Sequence, residues 1–296
     1  MTRFMGFALT LAMLTGVVSI AAAQDKAAGT MSPPKVLTIF REFLKPGKTG
    51  MVHEKSESAF IQALTHAKWP THYLTVNSLS GKPRALFLTG YDSFDAWEKD
   101  AKATEKNEAL SSALDRAAVA DGELLDSADA AAMAYSEEYS YHSAVDIPHM
   151  RYFEISVYRV RPGHRKEWDE AVKLVTAGYE KGIPDSHWAT YEVVYGAPEG
   201  TFVIFVPLKA AADIDHYFAE GKAFEDAMGE NGMKRLAELT ASAIESVETN
   251  LFVFSPNMSY VSDDWVKADP DFWKPKKSMA MPKKPSEKPA EKPAGQ

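Results

Sequence analysis

A strand–turn–helix unit built on a Pro-Gly pair occurs twice in this chain, and that recurrence limits the available folds more than any other feature. In one copy Tyr152, Phe153, Ile155, Val157, Tyr158 and Val160 form a β-branched and aromatic run. Arg161-Pro162-Gly163-His164 breaks it, and Trp168, Ala171, Val172, Val175 and Tyr179 then recur at helical spacing. In the other copy Val36, Leu37, Ile39, Phe40 and Phe43 lead into Lys45-Pro46-Gly47-Lys48. Val52, Ala59, Phe60, Ala63, Leu64 and Ala67 follow with the same helical period. Pro46 and Pro162 stand 116 positions apart, as do Gly47 and Gly163.

The order continues in parallel. After the first helix, which Pro70 stops, His72–Leu79 and Arg84–Tyr91 read as strands joined across Ser80-Gly81-Lys82-Pro83. His187–Tyr195 and Thr201–Pro207 repeat this across Gly196–Gly200, with His72 and Gly81 matching His187 and Gly196 at a shift of 115. Ser93 and Asp213 are candidate caps of short helices, each followed by a longer one. The longer helices are expected over Glu105–Ser127 and from Phe224 to Val247, with closing strands at Met133–Tyr141 and Leu251–Ser255. Each half therefore reads β-α-β-β-α-(α)-β, the ferredoxin-like order. The expected class is α+β, with two tandem ferredoxin-like βαββαβ repeats, 35–141 and 150–260, packed sheet to sheet. Glu137–Met150, which contains Pro148, serves as the linker.

The ends have a different character. Arg3, the apolar run Phe7–Ile20 and Ala21-Ala22-Ala23 form a signal peptide over 1–23, predicting a secreted or periplasmic protein cleaved near Ala23. Residues 274–296 hold seven lysines, two glutamates and repeated prolines, a composition that buries nothing and predicts a disordered tail. That basic tail is a candidate for contact with anionic envelope polymers. Trp265, Phe272 and Trp273, just before it, are expected to lie across the body. The net charge is −8 despite the basic tail, so the body is strongly acidic and nucleic acid is not an expected partner. The chain has no cysteine, which rules out disulfides, thiolate chemistry and iron–sulfur ligation. No stretch after the signal is apolar enough to span a membrane.

The paired Lys45-Pro46-Gly47-Lys48 and Arg161-Pro162-Gly163-His164 turns, each set between a strand and an amphipathic helix and followed by a hairpin, resemble the dimeric α+β barrel superfamily. That group includes antibiotic-biosynthesis-type monooxygenases, NIPSNAP-like proteins, chlorite dismutases and dye-decolourising peroxidases. The resemblance implies a covalent, pseudo-dimeric version of the barrel, and it specifies architecture more than chemistry. It does not extend to a haem ligand. The haem-binding members carry theirs in the helical part after the hairpin, where His216 in Asp213-Ile214-Asp215-His216 reads as a capped helix start. No cofactor is expected.

On the first strand of the second repeat Phe153, Ile155 and Val157 alternate with Tyr152, Glu154, Ser156 and Tyr158. A carboxylate packed against helices would be costly. The apolar set is therefore expected to face the helices, and the mixed set to line a cavity between the sheets. On that reading Glu154 and Glu42 are candidate acids or bases, and His187 and His72, which open equivalent strands, are candidate bases. Tyr152, Tyr158, Trp188, Glu192 and Asn77 are candidate ligand contacts. No metal site is expected. His53-Glu54 begins like a zinc-protease helix, but Glu57 stands where the second histidine is required. Three functional readings follow: a protein that binds a small, partly apolar molecule, a cofactor-independent oxygenase of electron-rich aromatics, or an interaction module whose barrel is filled by its own side chains.

Overall fold

The structure, a computed structural model, describes residues 29–274; the expected signal peptide and all but the first residue of the tail lie outside them. Strand β1 (Val36–Leu44) runs into the first Pro-Gly turn and helix α1 (Met51–Ala67). Strands β2 (Tyr73–Ser78) and β3 (Arg84–Tyr91) form the hairpin, and α2 (Phe94–Lys106), α3 (Glu108–Gly122) and β4 (Leu125–Tyr141) complete the half. The second half has β5 (Tyr152–Val160), α4 (Arg165–Gly182), β6 (Trp188–Tyr195), β7 (Thr201–Leu208), α5 (Ala212–Ala243) and β8 (Ile244–Phe254). Two short helices, α6 (Asp263–Ala268) and α7 (Pro270–Trp273), follow. No helix among the described residues is long and apolar enough to cross a membrane.

The local signals have visible causes. Gly47 and Gly163 take φ of 77° and 85°, the left-handed region where glycine alone lacks a Cβ penalty, so the repeated Pro-Gly pair turns the chain the same way twice. Ser93 caps α2 by accepting from Ala96 N, and the Asn107 side chain caps α3 by accepting from Leu110 N. Asp213 instead lies within the first turn of α5 and accepts from Lys209 N and Ala210 N. Helix α5 runs through both expected helices, and its kink at Gly229 (φ 64°) falls inside the longer one, expected from Phe224.

The eight strands close into an antiparallel barrel in the order β1-β3-β2-β8-β5-β7-β6-β4. The first half contributes β4-β1-β3-β2 and the second β8-β5-β7-β6, the same order of positions in each. The two sheets face each other across the interior and also join at their edges. One seam pairs Val76–Ser78 with Phe254–Phe252; the other pairs β4 with β6 from Ala132 to Tyr141. Closure removes the strand edges that two stacked sheets would leave open.

Both closing strands start earlier than the sequence suggests. Leu125–Ser136 pairs with β1 or β6 although its Asp-Ala-Ala-Ala composition favours helix, and Ile244–Leu251 pairs with β5. Pairing with a neighbouring strand overrides a weak local propensity. The segment expected as linker accordingly begins inside β4.

The main core lies in the barrel interior. Leu37, Ile39, Leu74, Val76, Phe153 and Ile155 are buried there with matching residues of the other strands. Trp273 is buried against the same core, 6.3 Å from Phe254 between ring centroids, so the segment after β8 does lie across the body. A second cluster, formed by Tyr139, Val160, Trp168, Phe202 and Ala243, lies between the second-half strands and their helices. The expected assignment of strand faces is thus reversed: the apolar set points into the barrel and the mixed set lies under the helices. The enclosed interior takes the apolar residues of all eight strands. On the other face Arg165 meets Glu192, while Glu154 is half-buried and burial raises its carboxyl.

Candidate functional site

The start of β1, β2, β5 and β6 and the end of β3 and β7 surround one mouth of the barrel. The interior remains open there, as a cavity of about 810 Å³. Its floor is apolar: Leu37, Leu74, Leu88, Phe153, Tyr191 and Phe205. The leader residues Met31–Pro34 and the linker close over one side, held by the reciprocal pairing of Met31 and Val145 and by the Tyr191 hydroxyl donating to Pro34 O (3.1 Å). Val261, Ser262 and Trp265 cover another side.

Two of the candidate bases stand at this mouth. His187 precedes β6, and its Nε2 lies 2.9 Å from Pro207 O. Its Nδ1 lies 3.5 Å from Asp185 O; a carbonyl accepts only, so Nε2, on the shorter contact, is the donor of the ring. His72 precedes β2 and stacks on Tyr260 at 4.9 Å between centroids. Asp100 of α2, also at the rim, accepts from Trp69 Nε1 (3.1 Å), Thr71 Oγ1 (2.6 Å) and the Tyr91 hydroxyl (3.0 Å). Burial, with the nearby Asp100 charge, pushes the Tyr91 phenol well up from its ordinary value, so it stays a hydroxyl.

The remaining candidates lie elsewhere. Trp188 touches the rim, but its Nε1 donates to Tyr139 O (2.8 Å) and its ring packs on Tyr179 of α4. Glu192 is held by Arg165 at 2.8 and 3.1 Å. Asn77 Nδ2 donates to Met258 Sδ at 3.5 Å. Tyr158 packs on Trp168, 5.4 Å between ring centroids, outside the barrel, and Tyr152 shares its strand face by alternation. Glu154 is half-buried on that face. Burial raises its carboxyl above the usual range, and its charge in turn opposes ionisation of Tyr158, Tyr179 and Tyr217. None of these six lines the cavity floor.

Glu42 belongs to a separate constellation beneath α1 and α3. His53 Nε2 lies 2.9 Å from Glu42 Oε2 and 3.7 Å from both Glu57 Oε1 and Asp121 Oδ1. One donor atom from each of the four residues falls within 4.8 Å of every other, and all four residues are buried. As carboxylates, Glu57 and Asp121 leave Glu57 Oε1 and both Asp121 oxygens without a hydrogen-bond donor among the described residues; only a proton held between Glu57 and Asp121 would join them. Burial, then the charges of Glu42 and Asp121, push the Glu57 carboxyl up to about 9; burial also raises Glu42, against the lowering effect of its bond to His53. The Tyr73 hydroxyl of β2 is likewise buried without a partner.

Two of these four were readable in the sequence. His53 and Glu57 sit at i and i+4 on one helix face, and a carboxylate at the second position is as much a donor as the histidine of a zinc-protease helix. Asp121 carried no local signal, since only the packing of α3 on α1 brings it in.

No family model matches the chain, and no curated protein matches it. Among solved structures, a candidate monooxygenase of Fusobacterium nucleatum superposes with a TM-score of 0.50 at 14% identity, over 76% of this chain and 94% of that one. An anthrone oxidase-like protein gives 0.47 at 14% identity, over 76% and 94%. A mutant chlorite dismutase of Candidatus Nitrospira defluvii gives 0.45 at 11%, over 80% and 96%. At such identities the likeness is one of fold, and it is to the α+β barrels of monooxygenase-like proteins.

Proposed function

We propose that this chain binds a small, largely apolar molecule in the mouth of the barrel, with His187 and His72 as polar contacts at the rim. The observation that carries the reading is the cavity itself. Its 810 Å³ lies within the range of small-molecule sites, and its apolar floor with a few rim polar groups has their usual composition. An open interior argues against a barrel filled by its own side chains. Titration with 2-naphthol, read by calorimetry and thermal melts, tests it. Leu88→Trp, which fills the floor, is expected to weaken binding at least tenfold while leaving a cooperative melt. Equal binding by the wild type and this variant would refute the reading.

A second reading, cofactor-independent oxygenation of an electron-rich aromatic, is favoured by the place of His187 at the mouth of the cavity, where an imidazole can take a substrate proton. Oxygen consumption with phenolic substrates, abolished in His187→Gln, would support it.

The equal strand order of the halves supports a tandem duplication of a ferredoxin-like unit. Export with cleavage near Ala23 is part of the same proposal, and the mass of the protein recovered from the producing cell tests it. The tail's contact with anionic envelope polymers is tested by loss of polymer retention on truncation at Lys274.

A further inference from the structure

We propose that Glu42, His53, Glu57 and Asp121 bind one divalent first-row transition metal ion, holding β1, α1 and α3 together from outside the barrel. The site lies apart from the mouth cavity and does not depend on the reading given to it.

The donors converge. Metal bonds of about 2.0–2.2 Å separate neighbouring ligand atoms by roughly 3.0–3.6 Å in octahedral or tetrahedral shells. The separations from His53 Nε2 are 2.9, 3.7 and 3.7 Å, so small side-chain adjustments bring all four donors onto one ion. One imidazole and three carboxylates suit Mn²⁺, Fe²⁺ or Zn²⁺; the nitrogen donor disfavours Ca²⁺ and Mg²⁺.

The unpartnered atoms are a second, independent observation. Buried side-chain oxygens are almost always hydrogen-bonded, yet here three oxygens on two carboxylates are buried without a hydrogen bond, two of them 3.7 Å from the same His53 nitrogen. Three acids gathered out of water repel one another unless protons or a cation intervene. A divalent cation satisfies all three at once.

The second half supplies a contrast. Glu42 stands two residues before the strand-end irregularity at Leu44, and Tyr158 stands two residues before the one at Val160. His53 and Trp168 occupy the first turns of α1 and α4. Where the first half has a carboxylate facing a histidine, the second has a tyrosine packed on a tryptophan. The second half therefore closes this place largely by ring packing, with the Trp168 Nε1 donor left without a partner among the described residues, and it gathers no cluster of carboxylates there.

The test uses the full chain, stripped with chelator and titrated with Mn²⁺ and then Zn²⁺ by calorimetry, with thermal melts in parallel. The expected result is one ion per chain, a melting temperature that rises with the ion, and affinity reduced at least tenfold in both Asp121→Asn and Glu57→Gln. These near-isosteric changes keep the packing; if either variant fails to fold, the other carries the comparison. Absence of stoichiometric uptake, or uptake that both substitutions leave unchanged, would overturn the proposal. Mg²⁺ binding as tightly as Mn²⁺ would also contradict it, because the histidine would then play no part.

Discussion

The place beneath the first helix of each half is built from opposite materials. In the second half Trp168 stacks on Phe202 at 5.1 Å, with Tyr139 edge-on at 6.3 Å and Tyr158 tilted at 5.4 Å. In the first half the same layer holds Glu42, His53, Glu57 and Asp121. The aromatic cluster is stabilised directly by burial of its rings, which outweighs the one buried Trp168 Nε1 donor that finds no partner among the described residues. The polar cluster has the one Glu42–His53 bond, and its remaining carboxylates oppose burial until their charges are matched. A shared scaffold thus does not impose shared chemistry on its two halves, and the half that departs from simple packing is the one to examine for function.

The largest expected effect lies on the aromatic side. Trp168→Ala removes a ring only 4% exposed and should cost about 3–5 kcal/mol in denaturant unfolding. That loss should be the same with and without Mn²⁺. A cation-dependent loss would break the distinction between the halves.

His53→Leu should cost less, about 1–3 kcal/mol, because Glu42 loses its hydrogen bond while the volume is kept. It should also abolish the rise in melting temperature on adding Mn²⁺. If the rise persists, the imidazole is not a donor.

The smallest effect concerns Glu154, an acid of the second half that lacks such a cluster. Its folded carboxyl is raised by burial, so the stability it allows is complete below the ordinary carboxylate range and falls as the pH rises through the folded value. Glu154→Gln removes that dependence. The variant should match the wild type near pH 4 and melt slightly higher near pH 8. A variant that melts lower near pH 8 would mean that a partner holds the carboxylate in its charged form.

The strand–turn–helix units were legible because Pro-Gly turns and helical periods are local. Which strand face points inward was not. Alternation separates Glu154 from Phe153 and Ile155, but it does not say which set meets the helices. The cost of a buried carboxylate suggested the barrel interior, yet the interior is the more enclosed side, and on the helix side Glu154 stays only half-buried. His187 and His72 were placed at a cavity mouth for a reason the sequence did contain, since both open strands of the same hairpin type. Asp121 is the opposite case: its role depends on the packing of two helices far apart in the chain.

The central claim is that the polar layer of the first half holds a cation. Anomalous diffraction from crystals soaked in Mn²⁺ tests it most directly. The account predicts one strong peak between β1, α1 and α3, about 2.0–2.3 Å from His53 Nε2 and from oxygens of Glu42, Glu57 and Asp121, and no peak at Tyr158 and Trp168. A map with no peak among those four side chains, or with manganese only on exposed carboxylates elsewhere, would contradict it.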